Sequence, residues 1–153
     1  MIFYGIDNQT VEFRITNYQF AKNDEGDWDS NWLNIYLKVD SKLGKWQTID
    51  PSLTTWEFKE LIDWFNQVSE NSDHLGYTVL TFTEPNLSFE YIQRLASGEK
   101  VISIRFNLES RPKSATDDSA YFVDIHTNNQ ELRRIIETLD SELQKFPERK
   151  SKR

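Results

Sequence analysis

The chain has 153 residues, 37% of them apolar and 14% aromatic, with 25 acids against 18 lysines and arginines and a formal charge of −7. That length suits one domain that buries about two thirds of its unfolded surface without metal or disulfide, and the aromatic load excludes a disordered chain. Residues 1–144 carry 24 acids and 13 bases, so direct DNA or RNA binding by the folded body is disfavoured.

Cysteine is absent, which removes disulfides, thiolate nucleophiles and thiolate metal sites. The start of the chain lacks a basic segment followed by an apolar one, and no apolar run approaches the roughly 18 residues that span a bilayer. The cytoplasm is the expected compartment, with no membrane partner.

In chain order, Val11-Glu12-Phe13-Arg14-Ile15 alternates apolar with charged residues and predicts a strand reaching Tyr18. Residues 22–31 lose the pattern and read as a loop. Alternation returns in Leu33, Ile35, Leu37 and Val39, and a hairpin at 41–45 leads to a short strand at 46–49 that Pro51 is expected to end.

Thr54 and Glu57 form a capping-box pair flanked by Leu53 and Phe58. Phe58, Leu61, Ile62, Phe65 and Val68 follow at helical spacing, which predicts a helix over 55–69 with Trp64 at its margin. Strands are expected at 77–82, 87–91, 101–108 and 121–125, with Glu84-Pro85-Asn86 turning the chain between the first two. A second amphipathic helix carries Leu132, Ile135, Ile136, Leu139, Leu143 and Phe146, capped by Asn128 with Glu131 and stopped by Pro147.

The order is three strands, a helix, four strands and a helix. Short connections without a βαβ rhythm predict an α+β fold, with a largely antiparallel sheet of six or seven strands covered by two helices. One domain is expected over 1–147, followed by a flexible basic tail at 148–153. Nothing in the sequence sets an oligomeric state.

Catalytic signatures are missing. His74 and His126 have no metal-ligand spacing, no nucleotide or nucleophile motif occurs, and Asp24, Glu25, Asp27 and Asp29 do not match the twelve-residue calcium loop. No metal or cofactor is expected. Asp27 with Asp29, or Glu84 with Glu109, supply the weakest candidate, a carboxylate pair for hydrolysis.

The segment Gly26-Asp27-Trp28-Asp29-Ser30-Asn31-Trp32 combines charge with aromatic surface beyond what periodicity requires. Asp27, Trp28 and Asp29 are therefore candidate partner contacts, with Asp24, Glu25, Asp117 and Asp118 as further acidic candidates. A non-catalytic sugar or small-molecule site using Trp28 and Trp32 is the alternative.

Three stretches, GDWDSNWLNI at 26–35, LTTWEFKELIDWF at 53–65 and FTEPNLSFEY at 82–91, resemble the WapI family of immunity proteins. Gly26, Asp27, Trp28, Asp29, Asn31, Trp32, Trp56, Glu57, Glu84, Pro85, Asn86 and Phe89 carry the resemblance. It implies a bacterial antitoxin without catalysis of its own. Its implied partner is the toxin domain, typically RNA-cleaving, of a wall-associated, contact-delivered protein. Such a toxin is expected to present a basic surface.

Overall fold

Alternation in the first half of the chain becomes strand register. In the computed structural model, which describes residues 1–21, 27–116 and 119–150, β2 (Thr10–Tyr18) lies antiparallel to β3 (Trp32–Ser41), with Val11 opposite Val39, Phe13 opposite Leu37 and Ile15 opposite Ile35. All six side chains are buried, so one face of this pair points into the core. The sheet continues through a tight turn, where Gly44 supplies a φ of 133°, into β4 (Gly44–Thr54).

Strand β4 runs past Pro51, where the sequence pattern predicts its end. Pro51 lies opposite Asn34, beside a register shift between Leu33 and Asn34. A bulge on an outer strand tolerates the missing N–H, so the strand bends and continues.

A short β1 (Ile2–Tyr4) on the far side of β2 completes the first sheet, in the order β1-β2-β3-β4. Three residues are too few to show a period, so the sequence pattern does not predict this strand. The second sheet has the order β5-β6-β7-β8, from β5 (Val79–Thr81), β6 (Leu87–Arg94), β7 (Lys100–Phe106) and β8 (Tyr121–Thr127). The fold is α+β as expected, with eight strands among the described residues, in two antiparallel sheets instead of six or seven in one.

An isolated antiparallel bridge between Gly5 and Ile125 ties the edge of the first sheet to β8. The Phe3 ring lies 6.0 Å from Phe13, 5.9 Å from Phe65 and 6.0 Å from Phe89, so both sheets and the first helix share one core. A Cβ at position 5 would stand 2.6 Å from Val123 Cγ1 and 3.2 Å from the Asp124 carbonyl. Gly5→Ala is accordingly expected to cost about 2 kcal/mol, measured as a lower urea midpoint at unchanged m-value.

Helix α1 (Thr55–Asn71) starts at the expected cap: the Glu57 amide donates to Thr54 Oγ1 at 3.3 Å, and the Thr54 amide donates to Glu57 Oε2 at 2.9 Å. Trp64, expected at the margin, is buried and donates through Nε1 to the Tyr77 carbonyl at 3.0 Å, because the connector to β5 folds over that flank. At the other end the buried Lys100 ammonium donates to the carbonyls of Val68 (2.6 Å) and Ser69 (3.0 Å). Burial lowers its pKa, and the carbonyls it satisfies are the orphans of the helix terminus.

Helix α2 (Asn129–Gln144) is capped as expected by Asn128 Oδ1, which accepts from the Glu131 amide at 2.8 Å; it packs against α1 and buries Leu132, Ile135 and Leu139 in the core. Among the described residues no helix is long and apolar enough to cross a membrane.

Candidate functional site

The tryptophan-rich segment is built from a turn. Asp27 Oδ1 accepts from the Ser30 amide at 3.0 Å and the Asp27 carbonyl accepts from Ser30 Oγ at 2.7 Å, which sets residues Asp29–Asn31 into one 3-10 turn. Trp28 projects from this turn, 57% exposed, with its ring 4.4 Å from that of Trp56 on α1. Asp29 is exposed. Asp24, Glu25 and Gly26 lie outside the described residues, as do Asp117, Asp118 and the terminal residues 151–153.

Asn31 has a different place. It is 2% exposed, and its side-chain amide donates to the carbonyls of Asp27 (3.3 Å) and Arg149 (2.9 Å). Its Oδ1 accepts from the Arg149 amide at 2.8 Å and from Thr55 Oγ1 at 3.0 Å. One side chain thus joins the turn, the start of α1 and a backbone segment 118 residues away.

The C-terminal segment is held by more than Asn31. The Arg149 guanidinium sits 3.5 Å from the Tyr18 ring centroid and donates to the carbonyls of Phe20 (3.1 Å) and Ser30 (3.3 Å). The Tyr18 hydroxyl donates to the Pro147 carbonyl at 2.5 Å.

Two further motif residues also join elements. Glu57, 5% exposed, accepts from Thr54 through Oε2 and from the Thr83 amide through Oε1 at 2.7 Å, which fastens α1 to the turn after β5. Buried Asn86 donates from Nδ2 to Asp50 Oδ2 at 2.6 Å, while its carbonyl accepts from the Asn107 amide at 2.8 Å and from Ser110 Oγ. Phe89 is an aromatic hub of the core, with Phe3, Trp64, Phe65 and Phe82 around it.

Glu84 and Pro85 are exposed, and the fold brings Glu84 to the same cleft as Glu109, the pair singled out as carboxylates. The cleft, about 310 Å³, is lined by Trp32, Asp50, Glu84 and Glu109 together with Gln19 and Pro51. Burial raises the Asp50 carboxyl above the usual carboxylate range. The charges of Glu109 and Glu84 push it the same way, against the bond from Asn86.

A raised folded-state pKa means that the native state holds the Asp50 proton more tightly than the unfolded chain. The associated stability is present below the ordinary value of 3.8 and is lost as pH rises through the raised one. Asp50→Asn should therefore gain stability relative to the parent as pH rises through that window. Urea midpoints of both proteins from pH 3 to 7 check it, and parallel curves would contradict the coupling.

Composition and spacing do not reveal the partners that complete this arrangement. Asp50 lies on a strand expected to end beside it, Thr83 is an unremarkable turn residue, and Arg149 falls in the expected tail. The resemblance gives one signal: polar motif residues exceed what helix or strand periodicity needs. Among the described residues no group of three or more His, Cys, Asp or Glu is placed to hold a metal ion.

No curated protein matches the chain. A family model described as Immunity protein WapI-like family matches residues 1–147.

Proposed function

The chain belongs to the WapI-like immunity protein family, and from that premise we propose that it neutralises a cognate toxin by forming a stoichiometric complex with it, without chemistry of its own. The toxin in this reading is the RNA-cleaving C-terminal domain of a contact-delivered, wall-associated bacterial protein. The encounter takes place in the cytoplasm of the protected cell. The family match over residues 1–147 carries the proposal.

Physical chemistry supports it. A body of 24 acids and 13 bases over residues 1–144 steers toward the basic face that an RNA-cleaving enzyme presents to phosphate. Trp28 offers a large exposed ring fixed by Trp56, and Asp27 and Asp29 place carboxylates beside it. In this reading these three residues contact the toxin, and Asp24, Glu25, Asp117 and Asp118 are further candidate contacts. Asn31, Glu57 and Asn86 hold the surface in shape.

Co-expression tests the proposal. Cells producing the toxin domain encoded immediately upstream should resume growth when this chain is supplied, with their RNA left intact. Continued arrest with ample soluble protein present would overturn it.

A further inference from the structure

Strand β4 is an outer strand: it pairs with β3 on one side, and among the described residues no strand pairs with it on the other. Beside it lies a groove of about 730 Å³, walled by residues 45–50 of β4 and by Glu109, Arg111 and Lys113 of the facing segment. The groove is fixed at its base, where Trp46 Nε1 donates to the Ser110 carbonyl at 2.8 Å and the Trp46 ring meets Phe106 and Tyr121 edge-on.

Three properties set this groove apart from a surface finished for water. Ile49 on the strand is 62% exposed, and Leu108, next to Glu109, is 51% exposed with a φ of 49° that a branched side chain rarely adopts. Thr48 Oγ1 and Arg111 Nε in the walls are buried without a hydrogen-bond partner. Charge is also polarised: Lys45, Arg111 and Lys113 line the groove, while Asp50 and Glu109 continue into the adjoining cleft with Glu84.

We propose that the outer edge of β4 and its groove receive an extended segment of the cognate toxin, which adds a strand and seats an Arg or Lys between Asp50, Glu84 and Glu109. Strand addition satisfies backbone groups that the edge leaves open, and side chains entering the groove confer selectivity. A cation seated there would offset the charges of Glu109 and Glu84, which add to burial in raising the Asp50 carboxyl. Lys45 and Pro51 at the two ends limit pairing with other edges.

The inference rests on the toxin-binding reading, and the test separates the two. The full-length chain is titrated against the upstream-encoded toxin domain as parent, as Glu84→Lys with Glu109→Lys, and as Tyr77→Arg, a control at an exposed residue near the other sheet's outer strand β5. Glu84 and Glu109 are exposed and the control keeps the groove intact. The expected result is a loss of affinity of about 100-fold or more for the double variant, parental affinity for Tyr77→Arg, and slowed amide exchange over residues 45–50 in the parental complex.

Parental affinity for the double variant at unchanged thermal stability, or unchanged exchange over residues 45–50, would overturn the groove while leaving the immunity reading in place. A self-dimer of the chain that protects the same amides without toxin would overturn it as well. Failure of the parent to bind would overturn both.

Discussion

Glu57→Ala is expected to lower stability by about 3–4 kcal/mol. The carboxylate is buried at the junction of three elements, with one oxygen accepting from the Thr54 amide and hydroxyl and the other from the Thr83 amide. Alanine leaves the buried Thr54 N–H without its acceptor, removes the acceptor of the part-buried Thr83 N–H, and loses the reciprocal half of the α1 cap. For a chain of this size that corresponds to roughly 10 °C in Tm.

Glu57→Gln separates the contributions. Its single carbonyl oxygen can serve either Thr54 or Thr83, so about half the loss is expected, read as an intermediate urea midpoint. Equal stability of parent and Glu57→Ala would show that water replaces the carboxylate at this junction.

Asn31→Ala follows, with an expected cost of about 2–3 kcal/mol. Asn31 uses both amide atoms on four partners, and two of them belong to the Arg149 backbone. The Arg149 peptide group can turn to water when released and the Asp27 carbonyl keeps its bond from Ser30 Oγ, whereas the buried Thr55 hydroxyl loses its acceptor. The loss should therefore be divided: a fall in global stability and a larger local release of the C-terminal segment.

Amide exchange at Arg149 reads that release directly. It should accelerate in Asn31→Ala far more than amides in β3 do, while the contact of Arg149 with Tyr18 retains part of the protection. Unchanged exchange at Arg149 would mean that the guanidinium alone holds the segment.

These two residues also show what a sequence of this kind discloses. The Thr54–Glu57 cap, the helical stripes and the alternation in β2 and β3 are local patterns, and each survives as an element in the structure. The extension of β4 across Pro51 depends on a bulge and on its place at the sheet's edge, which no window of sequence contains. The division of the strands into two sheets likewise depends on packing around Phe3 and Phe89.

The candidate site divides the same way. Surplus aromatics and acids single out Trp28 and Asp29, and both are at the surface. The surplus polar residues Asn31, Glu57 and Asn86 are spent on bonds to Arg149, Thr83 and Asp50, partners 118, 26 and 36 residues distant. Long-range pairings between single residues leave no periodic trace, so the polar residues of the motif stand out in the sequence without disclosing their partners.

Calorimetric titration of the purified chain into the upstream-encoded toxin domain tests the proposed function most directly. A saturating one-to-one isotherm is predicted, with affinity falling as salt rises because acidic and basic surfaces meet, and with toxin activity lost in step with occupancy. Absence of binding heat across temperatures, with the toxin still fully active at equimolar protein, would contradict it.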